Sequence, residues 1–124
     1  MNTKEFLEHI GKTIDAKDSV GFADFITADG QFRFANYPAA QGRENIIKAV
    51  DNFFKTIKSS KHNIIKYWQD DNSIVWQGEV LYTRLDGKQL TINFVNIFNM
   101  SGDKIKDYFI YIDNTQLYAD MPEV

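Results

Sequence analysis

Glu79, within the run SIVWQGEVLYTRL, is the carboxylate whose neighbours best suit it to proton transfer. On its own strand Ile74, Trp76, Val80 and Tyr82 read as the buried set, which leaves Gln77, Glu79 and Thr83 for water. Pairing across the next turn reverses that reading. Asp86-Gly87 is a strong two-residue hairpin signal that pairs Leu85 with Lys88. Thr83 then faces Leu90, Leu81 faces Ile92, Glu79 faces Phe94, Gln77 faces Asn96 and Val75 faces Phe98. Glu79 thereby shares a side with Leu81, Leu90, Ile92, Phe94 and Phe98. A lone carboxylate held in an apolar cavity is driven by desolvation towards the proton affinity a general acid or base needs. Asn96, diagonal to Glu79, is placed to orient it. The alternative is structural, with Glu79 bonded to Gln77, Asn96 or a buried water, or reaching solvent.

Other chemistries find less support. The chain has no cysteine, which excludes disulfides, thiol catalysis and thiolate metal sites. His62 opens a strand and His9 lies on a helix face, and both read as structural or surface residues. No His or carboxylate cluster has metal-ligand spacing, no nucleophile-base pair stands out, and no metal or cofactor is expected. Asp113 is placed to accept backbone bonds where a strand ends. Arg43, in the first turn of a helix, opposes the dipole, so a tertiary salt bridge is its expected reason.

The elements that must position these residues follow from periodicity. Thr3 is a candidate cap for a helix with the stripe Phe6, Leu7, Ile10 and Ile14. Asp18 caps a short second helix that buries Phe22, Phe25 and Ile26, and Asp29-Gly30 turns the chain into a strand through Phe34. The clearest helix runs from about Arg43 to Lys58, with Ile46, Ile47, Val50, Phe53, Phe54 and Ile57 on one face. Beyond Ser59-Ser60 the pattern is β. HNIIKYW is followed by a turn at Asp70-Asp71-Asn72, two long strands flank Asp86-Gly87, and KIKDYFIYID follows Ser101-Gly102-Asp103. Strands this long must curve, and Gly78 is the expected bend or bulge. The expected fold is α+β, one domain over residues 1–124: a strongly curved antiparallel sheet wrapped round N-terminal helices as a cone enclosing a pocket.

Composition bounds the partners. Of 124 residues, 44% are hydrophobic and 25% charged, with ten Phe and six Tyr, so an aromatic core or an aromatic-lined cavity is expected. The net charge of −3 and the lack of a basic face argue against nucleic acid. Neither a signal peptide nor a membrane-spanning run is visible, so no membrane partner and a cytoplasmic location are expected. With Glu79 inside, Trp76, Val80, Tyr82, Val95 and Ile97 fall on the outer face of the sheet. A second apolar face predicts a homodimer through it.

The segment ending FANYP, the helix start QGRENI, and the run FNMSGDKIKDYFIYID resemble the nuclear transport factor 2-like cone fold in its SnoaL-like branch. The joint NYPAAQGRENI is the most specific piece, with NIF and YID. That branch is similar to limonene epoxide hydrolases, ketosteroid isomerases and polyketide cyclases. From the residues alone the last strand has two registers: a two-residue loop puts Tyr111 beside Phe94, and a three-residue loop puts Ile110 and Tyr108 there. The resemblance implies the second.

Carried over position by position, the resemblance implies a site without the relatives' machinery. Epoxide hydrolases use two carboxylates bridged by an arginine, helped by a tyrosine and an asparagine. The arginine position is Glu79, the carboxylate positions are Leu81 and Ile110, and the tyrosine position is Phe34; only Asn36 matches. Ketosteroid isomerases place their base where this chain has Phe34. Neither activity is expected. The catalytic candidates are Glu79, Asn36, which would hold a water or a substrate oxygen, and Tyr108, which would donate to a carbonyl. Phe34, Tyr37, Gln77, Leu81, Ile92, Phe94, Asn96 and Ile110 are the ligand-contacting candidates. The expected function is a small-molecule pocket protein: an acid–base isomerase, cyclase or hydrolase acting on a small apolar oxygenated compound. The alternative is a non-enzymatic ligand-binding or dimerisation module with a degenerate active site.

Overall fold

The computed structural model describes residues 2–120. Helix α1 spans Thr3–Asp15 and is capped by Asn2, whose side chain accepts the Glu5 N–H at 3.0 Å. Helix α2, Ser19–Ala23, is capped by Asp18. Strand β1 (Ile26–Phe34), the two-residue β2 (Ala40–Gln41) and helix α3 (Arg43–Phe54) follow. The strands β3 (Ile57–Asp70), β4 (Ser73–Arg84), β5 (Gln89–Ser101) and β6 (Lys104–Ile112) complete the sheet, with a 3₁₀ turn at Thr115–Leu117. Helix α3 stops short of Lys58, and Ile57 already belongs to the sheet, so Ser59 and Ser60 are strand residues. Arg43 makes its tertiary ion pair, at 2.7 Å to Asp24.

The fold is α+β, with three helices against a curved, unclosed sheet of strand order β2-β1-β6-β5-β4-β3. One pairing departs from the antiparallel pattern. The first strand reaches the sheet before the meander begins, and β1 lies parallel to β6, with Phe32 beside Tyr108 and Phe34 beside Ile110. The helices and the inner sheet face enclose a core that contains Leu7, Ile10, Phe22, Ile46, Trp76 and Phe98.

The β4–β5 hairpin corrects the expected register by one residue. Thr83 pairs with Gln89, Leu81 with Thr91, Glu79 with Asn93, Gly78 with Phe94 and Trp76 with Asn96. A two-residue turn of the expected kind needs positive φ at both central residues. Among them only Gly87 has it, at 89°. The turn instead contains Leu85, Asp86 and Gly87, with the Arg84 N–H donating to the Lys88 carbonyl at 2.8 Å. Asp86 pins this arrangement, accepting from the Lys88 N–H at 3.1 Å and from the Arg84 guanidinium at 2.9 Å. Because side chains alternate with period two, one residue of slip exchanges the faces. Trp76, Val80 and Tyr82 are therefore buried inside, and Gln77, Glu79 and Leu81 lie outside.

The last hairpin combines features of both registers open in the sequence. Ser101 pairs with Lys104 across a two-residue turn, but an irregularity beyond Met100 shifts the ladder, so Phe98 meets Tyr108 and Asn96 meets Ile110. Tyr108 and Ile110 thus point inward although the loop is the shorter one.

Gly78 sits opposite a register shift in β3 between Ile64 and Lys66. A side chain there would collide with the Asn63 carbonyl, the Phe94 ring and the Trp76 indole nitrogen. The missing side chain lets Trp76 and Phe94 pack edge to face at 5.3 Å across the bend.

Candidate functional site

The inner face of the curved sheet and the helices bound a cavity of ≈ 240 Å³. Its walls are aromatic, with Phe22, Phe32, Phe34, Phe53, Phe94 and Tyr108 among them. They follow from the alternation in β1, β5 and β6 and from the apolar stripe of α3. Tyr37, 56% exposed, stands at the rim with Pro38 and Tyr118. Polar side chains among these walls are few: His62, Tyr82, Asn96, Tyr108 and Asn114, besides the phenols of Tyr37 and Tyr118.

His62 is the histidine of this cavity, and it is held by Asp15 at the end of α1. The His62 Nδ1 lies 2.5 Å from Asp15 Oδ1, and its side chain is only 10% exposed. Asp15 also accepts the Ser60 hydroxyl at 2.9 Å and, through Oδ2, the backbone N–H of His62 at 2.9 Å. Burial pushes the Asp15 carboxyl up, but the hydrogen bond and charge of His62, its backbone N–H and Ser60 together hold the carboxyl below its ordinary range. Asp15 is thus an ionised acceptor, which fixes the proton of a neutral imidazole on Nδ1 and leaves Nε2 as the basic nitrogen. The ring packs edge to face on Phe94 at 5.6 Å.

Two buried phenols accompany the histidine. Tyr82 lies two residues along β4 from Val80, the partner of His62 across the β3–β4 ladder, and so sits diagonal to His62 on the inner face. Burial raises the pKa of Tyr82, and of Tyr108, well beyond the normal phenol value, so both remain O–H donors. Among the described residues Tyr82 makes no side-chain hydrogen bond, whereas the Tyr108 hydroxyl accepts the Asn96 amide at 3.4 Å.

Of the residues singled out in the sequence, Phe34, Tyr37, Phe94, Asn96, Tyr108 and Ile110 line the cavity. Ile92 faces inward but lies outside its lining. Glu79, Gln77 and Leu81 are on the opposite side of the sheet because of the slip at Asp86. Asn36 is exposed: Ala35 adopts a left-handed φ of 52° and the Tyr37 N–H closes a turn on the Phe34 carbonyl, which carries Asn36 outward. With Glu79 removed from the site, Glu79→Gln should leave ligand binding and any turnover within about twofold of wild type. A tenfold loss in a titration or rate assay would show that the outer face matters to the site.

The Asp15–His62 pair, 47 positions apart, was not expected as a unit. Its signal was present. Leu7, Gly11 and Asp15 form one row along α1, and the first two are buried, so an acid continues a buried stripe. Ser60, His62 and Ile64 alternate on one side of β3, and Ser60 is itself buried.

A family model described as SnoaL-like domain matches residues 5–108. The chain belongs to the SnoaL-like family. No curated protein matches the sequence. Solved structures of similar fold include a hypothetical protein with a ketosteroid isomerase-like fold from Catenulispora acidiphila, in complex with trimethylamine. It has TM-score 0.86 and 14% identity, over 95% of this chain and 92% of that one. A protein assigned as a SnoaL-like polyketide cyclase from Jannaschia sp. CCS1 has TM-score 0.75 and 14% identity, over 94% and 92% of the two chains. ActVI-ORFA from Streptomyces coelicolor has TM-score 0.74 and 19% identity, over 90% and 94%. At such identities these structures establish the fold of this SnoaL-like chain and leave its chemistry to its own residues.

Proposed function

We propose that this SnoaL-like protein is a cofactor-independent acid–base catalyst of isomerase or cyclase type, acting on a small apolar carbonyl compound. The observation that carries the reading is His62, held by Asp15 in the wall of an aromatic cavity. Its Nε2 lone pair takes a proton from the carbon next to the carbonyl. The C–H electrons move into an enolate whose oxygen accepts a hydrogen bond from Tyr82. Returning the proton elsewhere gives an isomer; attack of the enolate carbon on a second carbonyl gives a ring, whose new alkoxide takes the proton back from His62. Asp15 stabilises the imidazolium formed on the way. The polyketide cyclase assigned among the structural relatives is consistent with such chemistry. The test is solvent exchange: small aryl ketones and 1,3-diketones are incubated with the protein in D₂O and the α-proton signal is followed by NMR. Wild-type protein should accelerate its loss, and a rate equal to buffer across the panel would remove the reading.

The outer sheet face supports a homodimer, although the residues differ from those expected. Val95 and Ile97 do lie outside, half-buried, and Val75, Leu81 and Phe109 join them, with Trp68 44% exposed beside them. Trp76, Val80 and Tyr82 belong to the interior. The same face carries Lys66 and Glu79, charges of both signs that a two-fold axis can pair. Ile97→Asp should convert a dimer to a monomer in sedimentation at micromolar concentration without unfolding it. A wild-type monomer under those conditions would refute the dimer.

A further inference from the structure

Asn96 carries an unresolved feature of the cavity wall. It is 3% exposed and Tyr108 is fully buried, and both belong to the cavity lining. The Asn96 Nδ2 donates to the Tyr108 hydroxyl at 3.4 Å, and the buried Asn96 Oδ1 has no partner among the described residues. Tyr108 in turn accepts that bond and keeps its own O–H proton unspent. The pair therefore leaves the Oδ1 acceptor and the phenol O–H donor unmatched side by side, together with the second amide N–H. Turning the amide over would let Tyr108 donate to Oδ1 but would leave both amide N–H groups of Asn96 unpaired, so neither orientation satisfies the pair by itself. An unmatched pair of this kind in an apolar wall is costly unless something supplies the complementary groups.

We propose that Asn96 and Tyr108 set ligand specificity by reading a hydroxyl beside a carbonyl, as in an α-hydroxyketone or an enolised 1,3-diketone. The hydroxyl donates to Asn96 Oδ1 and the carbonyl accepts from Tyr108. The surrounding rings of Phe22, Phe32 and Phe34 accept the flat apolar remainder. This rests on the small-molecule reading of the cavity and narrows it from carbonyl compounds to hydroxycarbonyl compounds. Asn96 is a specificity residue here, distinct from His62, which moves the proton.

The test uses three probes of similar size, α-hydroxyacetophenone, α-methoxyacetophenone and propiophenone, titrated by NMR or calorimetry. The wild type should bind the hydroxyketone about 10- to 100-fold more tightly than the other two. Asn96→Leu and Asn96→Ala should erase that ratio while still binding propiophenone. Tyr108→Phe should weaken all three ketones but preserve the ratio of hydroxy to methoxy compound. Each ratio compares ligands on one protein, so a partial loss of folded protein cancels from it. Binding of the three probes within threefold in the wild type would overturn the inference. So would a preference that survives in both Asn96 variants, or no hydroxyketone binding at millimolar concentration. The two readings fail separately. Preference without proton exchange removes the catalytic reading alone, and His62-dependent exchange without preference removes this one alone.

Discussion

His62→Gln should slow α-proton exchange on any responsive ketone by about 10²- to 10⁴-fold, the range a positioned general base contributes. Glutamine fills similar space and can still donate an N–H towards Asp15, but it has no lone pair able to take a proton at neutral pH. Ligand affinity should change little, because the rest of the cavity wall, chiefly aromatic and aliphatic side chains, is untouched. Asp15→Asn is the companion variant. It keeps the shape, but the amide can offer an N–H to Nδ1 and so favour the wrong tautomer, with an expected loss of about 10²-fold or more. A stability readout separates orientation from collapse. Asp15 has a lowered pKa in the folded protein, so the stability its ionised form contributes is fully present above about pH 4. That contribution is lost as the pH falls through the lower folded value. The stability gap between wild type and Asp15→Asn should thus be widest near pH 7 and shrink by pH 3 in urea titrations. A gap that grows on acidification would contradict the ionised, multiply bonded carboxylate.

Gly78→Val should be the most damaging single substitution for stability, costing about 3 kcal/mol or more. A Cβ at that position meets the Asn63 carbonyl, which is backbone on the neighbouring strand and cannot rotate away. The other obstacles, Phe94 and Trp76, are buried and interlocked. Relief would require β3 and β4 to separate at the bend that gives the sheet its curvature, and with it the cavity. A domain of this size has roughly 5–15 kcal/mol in total, so the variant should unfold at markedly lower urea concentration. A loss under about 1 kcal/mol, with the cavity still binding ligand, would show that the strand pair adapts more freely than its packing suggests.

Much of the fold was legible in local pattern. Asp18 caps the second helix as its position suggests, although Asn2 and not Thr3 caps the first; the apolar stripes of the helices are clear, and the long β-rich half divides at Asp and Gly turns. The resemblance carried by NYPAAQGRENI and FNMSGDKIKDYFIYID pointed to the family that the chain belongs to. The site was less legible because facing in a sheet depends on a single residue of register. The alternation Ile74, Trp76, Val80, Tyr82 already names the buried side, and it was the assumed turn length at Asp86-Gly87 that reversed it. Nothing in a dipeptide shows that Asp86 will bond Arg84 and the Lys88 N–H and so draw three residues into the loop. In the last hairpin the shift beyond Met100 is equally hidden, and only the family pattern placed Ile110 inward. Spacing along α1 and β3 marks Asp15 and His62 as continuing buried rows, but their contact joins a helix end to a mid-strand position and is created by tertiary packing.

The most direct test of the Asp15–His62 pair is the tautomer of the His62 ring, read from long-range ¹H–¹⁵N NMR correlations with the pH raised until the ring is neutral. The neutral ring should carry its one proton on Nδ1, hydrogen-bonded to Asp15, with Nε2 bare, and that pattern should be lost in Asp15→Asn. A neutral ring with its proton on Nε2 would contradict it, because the nitrogen left to face a substrate could then accept nothing.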